Sequence, residues 1–268
     1  MKRAVIQAIS SLRGSPVDVL APSRGSVPYR AQDRRGIAPL ADLYLPSRPI
    51  GASVVLVHGG GFLIGSRRMK PMKLLASRLC SAGVAVCVAD YRLIFRGGRL
   101  DEALDDVCEA FEFWHELTPT LGLDPRGISL VGLSAGASLA MLAAGRLGSS
   151  RVARLVCCFG LYEVDHLRGP VARRWPRLLF RTADRPAWTE RSPRGAVQPT
   201  TPTLLLHGSA DGLVPVEQAS RLAAHREALG LPTRLVIYPE APHGFFNIPC
   251  PAADAALQEI IEHVSREP

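Results

Sequence analysis

Ser134 stands in Ile128-Ser-Leu-Val-Gly-Leu-Ser134-Ala-Gly136, a Gly-x-Ser-x-Gly that follows a β-type run and opens a helical pattern. A serine hydroxyl is a weak nucleophile at neutral pH; it needs a base, and the base needs a third group to orient it. Two later segments offer both. Leu204-Leu-Leu-His207-Gly-Ser-Ala-Asp211 ends a β-type run in a turn bearing an aspartate, and Leu235-Val-Ile-Tyr-Pro-Glu-Ala-Pro-His243 ends another in a loop bearing a histidine. Serine, then acid, then histidine, each after a strand, is an order suited to acyl transfer through a covalent intermediate. Composition alone gives about 0.15 such pentapeptides in a chain of this length, so the weight lies on the strand-before, helix-after context. Asp211-Gly212 serves equally as a turn-forming pair, and His243 has competitors. His115, His225 and His263 fall on predicted helices, His166 falls in an insertion, and His207 reads as packing.

A tetrahedral intermediate needs backbone N–H donors aimed at its oxyanion. Val54-Val-Leu-Val-His58-Gly59-Gly60-Gly61-Phe62 follows a strand pattern with three glycines, which let bare backbone approach a substrate. Gly60 and Gly61 are the expected donors, with the N–H of Ala135 completing the hole. A phosphate cradle is the other use of such a run, but the GxGxxG spacing is absent and no GKS or GKT follows.

The elements that must carry these loops alternate. Apolar, β-branched runs at 40–45, 53–57, 84–89, 128–131, 154–159, 203–206 and 234–238 interleave with helical patterns at 69–82, 101–117, 135–147, 216–229 and 252–264. This predicts an α/β fold: a mostly parallel central sheet covered by helices on both faces. Helix 101–117 has acids in its first turns and an apolar stripe of Leu104, Val107, Cys108, Phe111 and Trp114. Residues 1–37 read as a basic N-terminal arm, and 38–268 as one domain. Residues of about 162–201 form an insertion too long for an ordinary strand connection, and so a candidate short lid.

The 268 residues are 47% hydrophobic and 21% charged, enough for one sizeable core. The formal charge of +8 is uneven: residues 1–35 carry seven bases against two acids, and 168–194 carry eight arginines against two acids. The remainder is net negative, which argues against a nucleic-acid-binding surface. Within the insertion, Trp175, Phe180 and Trp188 could line an acyl or alcohol pocket while the arginines meet an anion. A solvated loop in an arginine-rich chain is the plainer alternative, and attraction to a membrane surface the weakest. Six cysteines without paired spacing point to free thiols in a reducing, cytoplasmic setting and to no metal site. The first residues lack a secretory apolar run, and no stretch approaches a membrane span, so no stable membrane insertion is expected.

His58-Gly-Gly-Gly-Phe62, Asp90-Tyr-Arg-Leu93, Asp124-Pro125, Gly132-Leu-Ser-Ala-Gly136, Ser192-Pro193, His207-Gly-Ser-Ala-Asp211 and His243-Gly-Phe245 together resemble the hormone-sensitive-lipase-like and acetyl-esterase branch of the α/β-hydrolases, over roughly residues 38–265. The resemblance implies a serine carboxylesterase: Ser134 as nucleophile, His243 as base then acid, Asp211 as its orienting carboxylate, and Gly60, Gly61 and Ala135 around the oxyanion. It implies no metal or organic cofactor and a small-molecule ester as partner; a homodimer is left open. Phe62, Trp175, Trp188 and Phe245 are the candidate substrate contacts. Ala137 stands where members commonly have a second glycine, and neither the arm nor the insertion matches the large helical cap of the lipases, which favours short, acetyl-type acyl groups. An amide or formamide hydrolase of the arylformamidase kind uses the same triad, although Gly61-Phe62 lacks that group's aromatic pair. A non-catalytic binding protein on the same fold is disfavoured by the complete serine, acid and histidine set.

Overall fold

The computed structural model describes residues 19–31, 39–164 and 171–266. Most of the expected basic arm, and His166 and Arg168 of the insertion, lie outside the described residues. Eight strands form one sheet in the order β1-β2-β4-β3-β5-β6-β7-β8: β1 Arg24–Pro28, β2 Leu40–Tyr44, β3 Ser53–Val57, β4 Ala85–Ala89, β5 Ile128–Leu133, β6 Leu155–Cys158, β7 Thr203–Gly208 and β8 Thr233–Tyr238. The strands from β4 to β8 run parallel, whereas β1–β2 and β2–β4 pair antiparallel. The fold is therefore α/β with a mostly parallel sheet.

Side-chain alternation along each strand supplies two cores. Val55 and Val57 of β3 face α2 (Leu100–Leu117), α3 (Ala135–Leu147) and α6 (Glu217–Ala228), while Val54 and Leu56 face α1 (Lys70–Ser81) and α7 (Pro251–Val264). Both faces are dry, which is why the strands read as continuous apolar runs instead of alternating ones. The stripe of α2 is centred on Ala103, Val107, Ala110, Phe111 and Trp114; Leu104 and Cys108 lie at its half-buried margin. Trp114 crosses the core to donate its indole N–H to Ser53 Oγ at 3.2 Å.

Two departures from the sequence pattern have physical causes. β1 lies within the expected arm, yet it pairs with β2. Gly25, Ser26 and Pro28 hide it as a strand, and the register shifts between Arg24 and Val27, with Ser26 at φ 54°. The insertion between β6 and β7 holds two helices, α4 (Val171–Phe180) and α5 (Arg185–Arg191). Pro176 sits inside α4, which masks it as a helix.

Phe111 is fully buried on α2. Phe111→Ala is expected to cost about 3–5 kcal/mol of unfolding free energy, read from urea denaturation, because the close-packed core cannot refill the space.

Candidate active site

The parallel strands deliver their carboxyl ends to one edge, and every loop singled out above starts there. β3 leads into His58, β5 into Ser134, β7 into Asp211 and β8 into His243. Since β3 and β5 are neighbours, the glycine run lies beside the serine.

Ser134 occupies φ 53°, ψ −118°, a left-handed conformation that side chains avoid. Its N–H donates to the Cys158 carbonyl at 2.9 Å, and its own carbonyl accepts from Ala137 N at 2.9 Å, starting α3. The turn is too tight for side chains around it: a Cβ on Gly132 would lie 2.2 Å from the Gly136 carbonyl oxygen. Ala137 is fully buried in this packing, so its methyl fits where a glycine was expected.

The three residues separated in sequence meet here. Ser134 Oγ lies 3.1 Å from His243 Nε2, and His243 Nδ1 lies 2.7 Å from Asp211 Oδ2. A carboxylate can only accept, so Nδ1 carries the hydrogen and Nε2 is left to accept from the serine. The His243 ring rests edge-on against Phe159, 5.0 Å between centroids. Phe159 in turn packs on Phe245 at 5.4 Å.

Asp211 is held on all sides. Its Oδ1 accepts from Leu213 N and Val214 N at 2.9 and 2.7 Å, and Oδ2 lies 3.2 Å from His207 Nε2 as well as against His243. Burial pushes its carboxyl up, but the hydrogen bonds to His207, His243 and Val214 outweigh that and bring it down to about 2. His207, read from the sequence as packing, is fully buried and also lies within reach of the Asp211 carboxylate. Its Nε2 also lies 2.9 Å from the Val214 carbonyl, which can only accept, so that nitrogen carries the hydrogen. The four-residue spacing of His207 and Asp211 around a tight turn was the available signal.

The glycine run leans on the serine: a Cβ on Gly59 would lie 3.1 Å from Ser134 Cβ. His58 stacks on Tyr91 at 4.2 Å, donates Nδ1–H to the Gly59 carbonyl at 2.7 Å, and accepts the Tyr91 hydroxyl on its own carbonyl at 3.1 Å. Burial lowers the His58 imidazole below its usual range, against opposing effects from Gly59 and Asp90, so it stays neutral. Behind it, Arg67 joins Asp42 at 2.9 Å and also pairs with Asp90, while Arg92 pairs with the fully buried Asp106 at 2.9 Å. Asp90-Tyr-Arg is thus the buttress of the glycine loop, a role its sequence gave no means to assign.

Of the four candidate substrate contacts, Phe62 and Trp175 line an apolar crevice with Ser138, Leu142, Leu161 and Leu179. It has room for about 10 Å³, close to one water molecule. The other two do not line that crevice. Phe245 is 0% exposed and packs beneath Phe159, and Trp188 is 3% exposed with its indole donating to the Thr182 carbonyl. Both rings are packed inside the core. The arginine cluster is partly spent as well. Arg181, Arg191 and Arg194 pair with Glu102, Asp101 and Glu163, whereas Arg174 and Arg177 are exposed on α4. Among the described residues, no group of three or more His, Cys, Asp or Glu side chains could hold a metal ion, and no helix is long and apolar enough to cross a membrane.

The depressed Asp211 carboxyl makes stability pH-dependent. Its contribution of roughly 2 kcal/mol is fully present above the ordinary carboxylate range and is lost as pH falls from about 4 through about 2. His207→Phe is expected to raise the folded-state value, shrinking that contribution and moving the acid unfolding midpoint upward, as followed by circular dichroism. An unchanged acid midpoint would show that His207 does not stabilise the carboxylate.

A family model for the alpha/beta hydrolase fold matches residues 54–247. An isoprenylcysteine alpha-carbonyl methylesterase of Arabidopsis thaliana is 28% identical over 246 residues, covering 82% of this chain and 56% of its own length. An ethyl acetate hydrolase of Pseudomonas putida is 27% identical over 234 residues, covering 79% of this chain and 72% of its own. The chain thus spans little more than half of the methylesterase. A thermophilic esterase of the planctomycete Thermogutta terrifontis, solved with propionate bound, superposes with a TM-score of 0.72 at 23% identity, over 90% of this chain and 93% of that one.

Proposed function

Because the chain belongs to the α/β-hydrolase fold family, we propose that it is a serine carboxylesterase that hydrolyses esters of short acyl groups. One observation carries this: the Ser134 hydroxyl faces His243 Nε2 at 3.1 Å while Asp211 holds the opposite ring nitrogen at 2.7 Å. In the proposed reaction Ser134 Oγ attacks the ester carbonyl and its proton passes to His243 Nε2. The oxyanion that forms is met by the N–H groups of Gly60, Gly61 and Ala135. The tetrahedral intermediate collapses by breaking the bond to the alcohol oxygen, and the proton on Nε2 goes to the departing alcohol. Water then enters, gives its proton to His243 and releases the acid from Ser134 by the same steps. Asp211 keeps the imidazole in the required tautomer and balances its positive charge throughout.

The short-acyl assignment is supported by the small size of the insertion, whose described residues hold only the ten-residue α4 and the seven-residue α5. Two likenesses point the same way in their printed names, an ethyl acetate hydrolase and a structural neighbour solved with propionate bound.

Ser134→Ala is expected to lower kcat on 4-nitrophenyl acetate by at least about 10⁴-fold while the protein stays folded. A fluorophosphonate should label the native chain at Ser134 and not this variant. Over a series of nitrophenyl esters, kcat/KM should fall beyond medium chains. Equal rates on long chains would defeat the short-acyl assignment, and a formamide outpacing every ester would replace it.

A further inference from the structure

The oxyanion loop is a run of glycines at unusual torsions: Gly60 at φ 116°, Gly61 at φ 62°, then Phe62, a residue with a side chain, at φ 63°. Glycine gains freedom here at an entropic cost, so a hole built from such residues needs its peptide planes held from outside. In a trans peptide the N–H points opposite to the preceding carbonyl. Fixing a carbonyl therefore aims the next N–H. The Gly59 carbonyl accepts from His58 Nδ1 at 2.7 Å, which fixes the Gly60 N–H. The Gly60 carbonyl accepts from Leu63 N and Ile64 N, both at 3.1 Å, which fixes the Gly61 N–H. Both restraints come from within the loop itself.

The third peptide is held differently. The Gly61 carbonyl accepts from Trp175 Nε1 at 3.0 Å, across 114 positions of sequence, from α4 of the insertion. The same indole lies against the Phe62 ring, 5.9 Å between centroids. The Gly60 carbonyl is held on the near side of Gly61 and the indole holds its far side, so a crankshaft rotation that would turn the Gly61 N–H is opposed from both ends. We infer that Trp175 is a positioning residue for the oxyanion hole, acting through its indole N–H on the Gly61 carbonyl. This goes beyond the wall of a pocket, and it rests on the serine mechanism proposed above. It also gives the insertion a part in transition-state stabilisation. A restraint that acts on the hole alone should be felt by the oxyanion and scarcely by the bound ester.

The test replaces Trp175 with β-(3-benzothienyl)alanine, which keeps the shape of the indole but has sulfur in place of N–H, and compares it with native protein and Trp175→Phe. With 4-nitrophenyl acetate, kcat is expected to fall about fivefold for the loss of one neutral hydrogen bond, with KM changing by less than about twofold. The inhibition constant of a trifluoromethyl ketone, whose adduct with serine carries the oxyanion, should rise by the same factor. A change confined to KM, or native values of both kcat and the inhibition constant, would overturn the inference. Should Trp175→Phe fail to fold, the isosteric replacement still decides. Ser134→Ala separates the two hypotheses: if it retains hydrolysis, the serine mechanism fails whatever Trp175 does, and if it is inert while the isostere behaves as native, only the role of Trp175 fails.

Discussion

The left-handed backbone at Ser134 is the constraint to which the surrounding structure answers. A side-chain-bearing residue held there costs on the order of 1–3 kcal/mol, and it persists only where neighbours over-determine it. The neighbours are visible. β5 is clamped between β3 and β6, the Ser134 N–H is tied to the Cys158 carbonyl, and α3 begins within one residue. The cost returns as geometry: the hydroxyl stands clear of the sheet edge, at the meeting point of three other strand-end loops. The small residues beside it follow from the same turn, since a Cβ on Gly132 would meet the Gly136 carbonyl and one on Gly136 would meet the Val57 and His58 carbonyls.

Around that point the electrostatics are arranged in layers. Asp211 gives up solvation yet stays ionised, since two imidazoles and two backbone N–H groups replace the water it has lost. On the other side of the serine, charge is kept one layer back. His58 is neutral and buried, and the ion pairs of Arg67 with Asp42 and Asp90 lie behind it. A glycine loop with such support offers oriented N–H dipoles without a competing charge at the reacting carbon.

Much of this was legible in the sequence, for identifiable reasons. Buried parallel strands leave apolar runs, and seven of the eight were found on that basis. The serine, acid and histidine were found because each ends a strand. β1 was missed because its bulge uses Gly25 and Ser26, which have the composition of a turn. α4 and α5 were missed because Pro176 and a high density of arginine hide the helical period. Among the aromatics, composition could not separate Trp175, which reaches the glycine loop, from Trp188 and Phe245, which fill the core. That difference depends on tertiary direction, which spacing does not encode. The contact of His207 with Asp211 was not legible for a related reason, because a histidine four residues before an aspartate meets it only if the turn between them is tight.

The irregular pairing of β1 bears on the edge of the sheet. An eight-stranded sheet ends in rows of unpaired backbone groups, and a flat edge of that kind is a template for another chain. At one end the last strand is five residues long, breaks register between Arg24 and Val27, and stops at a proline that has no N–H to offer. Its Ser26 N–H is turned inward to the Asp42 carboxylate at 2.7 Å. Among the described residues, then, the feature that hid β1 in the sequence also breaks the regular ladder that an edge strand would otherwise present to another chain.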